Sequence, residues 1–321
     1  MAEQSVVVTG GAGFIGSHTV EQLLRQGCRV AVVDDFSTGK RANLAAVRDH
    51  ERLTVIEADV SDGLWSCLAG YVQKHGAVQR IIHLAAQTSV VRSVESPLHD
   101  LRANYTATMN VADYARRTQA KRVVFASSAA VYGDVETVPV HESQVAEPLS
   151  PYGLHKLASE HCLRYHAVVH GVPAWVFRFF NVYGPRQDPN SPYTGVISIF
   201  INRALQNLPF TIFGDGSQTR DFVYVGDIAR MLAQACLSDR AGFSLANLGT
   251  GNTTTVTQLA KEIVRLCNST STISYGPARA GEIKHSLAAI AQARELLDYT
   301  PAVTLAEGLG QTVAWYQNPL A

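Results

Sequence analysis

The stretch Val6-Val7-Val8-Thr9-Gly10-Gly11-Ala12-Gly13-Phe14-Ile15-Gly16-Ser17 decides how this chain is read. Its β-branched residues run straight into glycines at 10, 13 and 16, so a strand ends where Gly10 opens a tight turn. From Ser17 to Arg25 the apolar side chains Val20, Leu23 and Leu24 recur at helical spacing. Strand, glycine turn and helix therefore follow in that order. Gly10 permits a positive φ, Gly13 lets the backbone approach a ligand, and Gly16 is expected to let the helix lie close on the strand. Such a turn aims free N–H groups and a helix dipole at a phosphate. The glycine spacing differs by one residue from the commoner G-x-G-x-x-G.

The next strand, Arg29 to Val33, ends in Asp34-Asp35. An acid about twenty residues beyond the glycines accepts hydrogen bonds from an adenosine ribose and repels a 2′-phosphate. This favours NAD as cofactor, while Lys40 and Arg41 keep NADP open.

Further apolar or β-branched runs at Leu53 to Glu57, Arg80 to Leu84, Arg122 to Ala126 and Ala174 to Phe180 alternate with helix-like segments, among them Leu98 to Thr118 and Pro151 to His170. The alternation predicts an α/β fold with a Rossmann-type, doubly wound parallel sheet whose ligands gather at the strands' carboxyl ends. Polar or turn residues stand at those ends: Asp59, Ala85-Ala86-Gln87, Ser127-Ser128 and Asn181. From Gly184 onward prolines loosen the pattern, and Asn247-Leu248-Gly249 is expected to return a strand to the main sheet. The expected division is a cofactor domain of residues 1–180 plus about 223–251. A smaller, discontinuous α/β substrate domain takes 181–222 plus about 252–321.

The chain of 321 residues and 34.7 kDa has room for two such domains. Lys+Arg and Asp+Glu both number 27, which argues against a nucleic-acid or membrane-surface role. The five cysteines are scattered and odd in number, pointing to buried thiols in a reducing compartment and away from a metal site. No apolar run approaches membrane-span length, and the expected location is the cytoplasm.

Tyr152 and Lys156 lie four apart in Ser150-Pro151-Tyr152-Gly153-Leu154-His155-Lys156, which Pro151 is placed to start as a helix. One helical turn puts both side chains on the same face. A free tyrosine, with pKa about 10, is a poor base at neutral pH. A nearby ammonium and a cationic nicotinamide ring are expected to lower that value. Ser128, at the end of the fifth strand, can hydrogen-bond the same reacting oxygen.

These motifs make the chain resemble the extended short-chain dehydrogenase/reductase family, and within it the nucleotide-sugar 4-epimerases. Thr9 to Gly16, Asp34, Ser127 to Gly133 (SSAAVYG), Tyr152 to Lys156, Arg178 to Arg186 (RFFNVYGPR), Arg220-Asp221-Phe222 and Arg279 to Glu282 (RAGE) match in order over nearly the whole chain. The resemblance implies catalysis by Ser128, Tyr152 and Lys156. It implies NAD contacts at Gly10, Gly13, Phe14, Ile15, Gly16, Asp34, Asp35, Ser37, Thr38, Gly39, Asp59, Val60, Leu84, Ala85, Ala86, Gln87, Asn104, Ser127, Tyr152, Lys156 and Phe180. For a UDP-hexose it implies Ser89, Ser128, Tyr152, Asn181, Gly195, Val196, Thr211, Phe213, Arg220, Arg279, Glu282 and Ser286. Arg220 and Arg279 suit a diphosphate, and Glu282 suits ribose hydroxyls. The family also implies a homodimer joined through a four-helix bundle, a use that Leu157 and Leu163 fit; burial inside the monomer is the competing reading for both.

The related dehydratases carry an Asp-Glu pair where this chain has Ala129-Ala130, and the decarboxylases place a glutamate at the position of Ala130. Two alanines supply neither acid nor base. The resemblance therefore implies reversible C4 epimerisation through a transient 4-keto sugar and NADH. Ser286 matches a family position whose size gates the sugar's 2-substituent, and a small side chain there favours UDP-N-acetylglucosamine and UDP-N-acetylgalactosamine. The competing role for Ser286 is to cap a helix over Leu287 to Leu297. UDP-glucose and UDP-galactose are the alternative pair, followed by UDP-glucuronate with Arg92 or Arg186 as its cation. A non-catalytic NAD-sensing regulator is the remote alternative, disfavoured because both Tyr152 and Lys156 are present.

Overall fold

A run of five buried residues, Ser5–Thr9, forms the inner strand β1, and α1 (Phe14–Arg25) follows the glycine turn at once. The computed structural model describes residues 4–188, 195–278 and 284–318. The chain continues through β2 (Arg29–Asp34), β3 (Leu53–Glu57), α2 (Trp65–His75), β4 (Arg80–His83), α3 (Val90–Glu95) and α4 (Pro97–Asp100). A π-helical turn (Leu101–Thr106) leads into α5 (Ala107–Thr118), then β5 (Arg122–Ser128), α6 (Pro151–His170), β6 (Ala174–Phe179) and β7 (Asn181–Tyr183). Next come α7 (Val196–Leu205), β8 (Phe210–Phe213), β9 (Thr219–Arg220), β10 (Phe222–Tyr224), α8 (Val225–Leu237) and β11 (Phe243–Leu248). The last elements are β12 (Thr254–Thr255), α9 (Val256–Leu266), β13 (Ile273–Gly276), α10 (Ala291–Leu297) and α11 (Leu305–Gln317).

Seven strands form one sheet in the order β11-β6-β5-β4-β1-β2-β3, with β3, β2, β1, β4 and β5 paired in parallel. Helices cover both faces, which is why β1 and β2 read as unbroken apolar runs instead of alternating. Val7, Ala31, Val33, Ile81, Val123, Phe125 and Val176 of the sheet pack with Leu68 and Tyr71 of α2, Val111 and Tyr114 of α5, and Leu163 and Ala167 of α6. Strand order reverses between β1 and β4, and at such a switch point the loops leaving neighbouring carboxyl ends diverge and open a crevice. At the opposite edge, buried Arg80 donates to the carbonyls of Cys236 (2.6 Å) and Ser238 (3.0 Å), and Arg122 to that of Ser238 (2.9 Å). Two cations thus satisfy carbonyls at the end of α8.

The chain divides into two units. The first holds the residues through Gly133 with Val145–Arg178 and Ile228–Ala246; the second holds Asp134–Gln144, Phe179–Asp227 and the residues from Asn247 onward. The short segment 134–144, expected in the cofactor domain, belongs to the second unit, where Val140 exchanges backbone hydrogen bonds with Leu287 and Ala289. Within that unit β10 pairs with β7 and β13 with β8 in parallel, and β12 with β9 antiparallel. Among the described residues no helix is long and apolar enough to cross a membrane.

One expectation needs correction. α1 starts at Phe14, a turn earlier than expected, so Gly16 lies inside its first turn. A Cβ on Gly16 would strike the carbonyl oxygen of Gly10 and the backbone of Gly11, so this glycine packs the helix on the turn itself and not on the strand. The segment Leu98 to Thr118 is helical throughout, as expected, with a π-helical stretch at Leu101–Thr106 inside it that carries Asn104, which is buried.

Candidate active site

The glycine turn is held from both sides. Gly10 takes φ +68°, and a Cβ there would lie 2.6 Å from the amide nitrogen of Ala85, so only glycine lets the turn touch the loop after β4. On the other side Ala12 N–H donates to Asp34 Oδ2 at 2.8 Å, and Phe36 N–H donates to Oδ1 at 2.9 Å. Gly39 closes on the same carboxylate, 2.6 Å from where its Cβ would be. Hydroxyls cap α3, α6, α9 and α11, whereas α1 has neither a side-chain cap nor an acid in its first turn. That leaves a helix start suited to an anion.

Thr9 sets the polarity of a chain of hydrogen bonds leading from this turn. Its hydroxyl accepts from Leu84 N–H (3.2 Å) and Ala85 N–H (3.3 Å), so its own proton goes to His83 Nδ1 at 2.7 Å. His83 then donates from Nε2 to Thr108 Oγ1 (3.2 Å), which donates to the Asn104 carbonyl (2.7 Å). Burial first, and the Lys156 charge second, push His83 down to about 3, so the ring is neutral.

Tyr152 and Lys156 stand at the start of α6. Ser150 caps that helix, accepting from Gly153 N–H at 3.2 Å, and Pro151 occupies its first position. A Cβ on Gly153 would lie 2.6 Å from the Ala130 carbonyl oxygen, so glycine lets the helix start press on the turn after β5. Tyr152 is thereby hydrogen-bonded to Ser128, whose hydroxyl also accepts from Ala130 N–H at 3.2 Å. Lys156 Nζ donates to the Ala126 carbonyl at 2.9 Å and lies 4.8 Å from the Phe125 ring centroid and 5.8 Å from that of Tyr152. Burial pushes Lys156 down to about 8, opposed by Asp100 and then Glu160. Burial likewise pushes Tyr152 up to about 12, and the Ser128 bond works against it. Burial thus dominates at Tyr152, and the Lys156 ammonium bonds Ala126.

Around these groups lie charges that sequence reasoning missed. Glu160, one turn beyond Lys156, is buried and forks onto Arg178, with Nε to Oε1 at 3.0 Å and Nη2 to Oε2 at 2.7 Å; Ser127 also donates to Oε1. Asp100 is fully buried and accepts from Gln87 Nε2 (2.7 Å), Asn104 Nδ2 (2.9 Å) and His155 Nδ1 (2.6 Å). Gln87 is consumed by this network, and Ser89 is buried as the cap of α3. The side-chain carbonyl oxygen of Asn104, Oδ1, is buried without a hydrogen bond among the described residues.

Among the sites expected after β2 and β3, Asp35 Oδ1 takes Ser37 N–H and Oγ, Thr38 is exposed, and Asp59 caps the turn that carries Val60. Leu84, Ala85 and Ala86 are half-buried beyond β4. In the second unit Phe180 N–H donates to Leu248 O and Asn181 N–H to Asp221 O. Asp221, buried, gathers Thr250 N–H (2.7 Å), Gly251 N–H (3.0 Å) and Ala288 N–H (3.2 Å), fixing the strand that bears Arg220. Ser286 N–H donates to Thr219 O at 3.1 Å, which sets Ser286 beside β9. It caps no helix, because α10 begins at Ala291 after Ile290. Thr211 and Phe213 occupy the exposed side of β8, and Val196 opens α7 after Gly195, again without a side-chain cap. Arg279 and Glu282 lie outside the described residues.

The profile of the NAD dependent epimerase/dehydratase family matches residues 6–249, which span the glycine turn, Tyr152, Lys156 and the strand returned by Asn247. The chain belongs to this family. It is similar to a UDP-glucose 4-epimerase of Mycolicibacterium smegmatis, 36% identical over 314 residues that cover 97% of this chain and 98% of that one. Among solved structures it resembles a UDP-N-acetylglucosamine 4-epimerase from Methanobrevibacter ruminantium M1 in complex with UDP-N-acetylmuramic acid, at TM-score 0.91 and 36% identity over 99% of this chain and 100% of that one. It also resembles a UDP-glucose 4-epimerase of Thermotoga maritima with UDP-glucose, at TM-score 0.91 and 35% identity over the same shares of the two chains.

As a member of the epimerase/dehydratase family the protein uses NAD, and its residues fit that cofactor. The uncapped start of α1 suits the pyrophosphate, the oriented Asp34 carboxylate suits a ribose, and the lone Asn104 Oδ1 offers an acceptor.

Proposed function

We propose that this protein interconverts UDP-N-acetylglucosamine and UDP-N-acetylgalactosamine by epimerisation at C4, with Tyr152 as base, Ser128 as hydroxyl positioner and Lys156 as the charge that supports the base. The observation that carries the reading is the Tyr152–Ser128 hydrogen bond, one helical turn from a buried Lys156, in a member of the NAD dependent epimerase/dehydratase family. NAD, when bound, supplies the hydride acceptor and a positive ring that favours the phenolate.

Tyr152 takes the proton of the sugar 4-hydroxyl as hydride leaves C4, and Ser128 donates to the same oxygen as it becomes a carbonyl. The hexose then turns and receives hydride on its other face, while Tyr152 returns the proton. Because the sugar must turn, binding energy belongs on UDP, for which Arg220, Asn181, Phe213, Thr211, Val196, Gly195, Arg279 and Glu282 are the assigned residues. With Ala129 and Ala130 in the turn after β5, the chain has no acid or base there to divert the keto sugar toward elimination.

Ser286 carries the substrate choice. A hydroxymethyl group beside the Arg220 strand leaves room for an acetamido substituent that a phenol would fill. Specificity constants for both sugar pairs test this. Ser286→Tyr is expected to lower kcat/KM for the N-acetyl pair at least tenfold and to spare UDP-glucose. Strong wild-type preference for UDP-glucose would leave UDP-glucose/UDP-galactose epimerisation as the reading.

A homodimer through α5 and α6 is part of the proposal, with Leu154, Tyr165, Val168 and Val169 as the exposed apolar face. Leu163, first assigned to that face, is 1% exposed and packs in the core of its own unit. The five free cysteines fit the reducing cytoplasm in which such an enzyme would work.

A further inference from the structure

The charges around Lys156 are unequally committed. The ionisable groups near it are Tyr152, His155 and Glu160 on α6, Asp100 on α4 and His83 on β4, with Arg178 of β6 beyond Glu160. Arg178 neutralises Glu160 through a two-pronged bond. His83 is held neutral by burial. Asp100 is different: it is wholly buried, among the described residues no lysine or arginine pairs with it, and its Oδ2 lies 2.6 Å from Nδ1 of His155, which directly precedes Lys156. Its two other hydrogen bonds come from the neutral amides of Gln87 and Asn104.

We propose that Asp100 is a positioning residue for the Tyr152–Lys156 pair: its carboxylate ties α6 through His155 to the loop after β4 and to the π turn, and sets a buried negative charge near Lys156. This role rests on the reading of Tyr152 as the base. Gln87 and Asn104 hold one oxygen, His155 the other, so the carboxylate cannot rotate away. A buried carboxylate acts strongly on the nearest cation, since little water screens it. Asp100 supports Lys156 and opposes ionisation of Tyr152. Removing its charge therefore lowers the proton affinity of both groups, and both limbs of the pH–rate profile move to lower pH.

The test compares wild type, Asp100→Asn, Asp100→Glu, His155→Leu and Tyr152→Phe, each carrying NAD. Lysine labelled with ¹³C at Cε is titrated by NMR, with Lys156→Met assigning the signal, and kcat and KM for UDP-N-acetylglucosamine are measured across pH. In Asp100→Asn the Lys156 midpoint is expected to fall by about one unit and the alkaline limb of kcat to move with it. The same variant should lose roughly tenfold or more in kcat while KM changes less than threefold. Asp100→Glu should restore the Lys156 midpoint. If Asn at position 100 prevents folding, His155→Leu decides the mechanical part: kcat falls several-fold with the Lys156 midpoint not lowered, and an unchanged kcat overturns the tie. An unmoved Lys156 signal in Asp100→Asn overturns the electrostatic role even if kcat drops. Normal turnover in Tyr152→Phe instead sinks the assignment of the base, while the NMR titration still reads the Asp100–Lys156 coupling by itself.

Discussion

At the scale of single residues, buried polar groups are oriented by one another, and pH should reveal it. Native His83 stays neutral down to about 3, whereas in the unfolded chain it binds a proton near pH 6.5. Between those values the unfolded state holds more protons, so stability present above pH 6.5 is lost as pH falls toward 3. At pH 4.5 His83 alone should cost about 2–3 kcal/mol. Urea denaturation at pH 7 and pH 4.5 checks this: wild type should lose more stability than His83→Gln by that amount, and parallel losses would contradict it. Tyr152, Lys156 and Ser128 were legible in the sequence because helical spacing and a strand end place them. Glu160 was open to the same spacing argument, and Arg178, a charge inside the apolar run Trp175 to Phe180, signalled a buried partner. The link from Asp100 to His155 was not legible, since 55 positions separate the two and no local period joins them.

At the scale of elements, strands were read closely because both faces are buried and the β-branched runs are continuous. Helix starts were read less well. The π-helical stretch inside the Leu98 to Thr118 helix goes with tertiary bonds of Asn104 to Gln87 and Asp100, which no periodicity announces. α1 is the element on which cofactor binding depends most. Gly16→Ala would put a Cβ on the Gly10 carbonyl and force the turn open. NAD retention, measured as dinucleotide released on denaturation, should fall at least tenfold while the far-UV circular dichroism stays native; full retention would show that the turn tolerates the methyl. Ser150→Ala removes only the cap of α6 and should cost about 1 kcal/mol in urea denaturation.

At the scale of the whole molecule, the doubly wound sheet with β1 and β4 at its switch point was legible from alternation alone. The composition of the second unit was less so, because segment 134–144 joins it through backbone bonds of Val140. The exposed apolar side chains of α6 make a prediction about assembly: wild type should sediment as a dimer and Val168→Asp as a monomer. A monomeric wild type would remove the dimer from the account. The central claim, hydride leaving C4 and returning to it with Tyr152 as base, is tested most directly with UDP-N-acetylglucosamine carrying deuterium at C4, incubated with the NAD-loaded protein in ordinary water. The account predicts UDP-N-acetylgalactosamine that keeps its deuterium at C4, and a rate lowered about 10²–10⁴-fold in Tyr152→Phe. Product with the label exchanged for solvent hydrogen, or undiminished turnover in Tyr152→Phe, would contradict it.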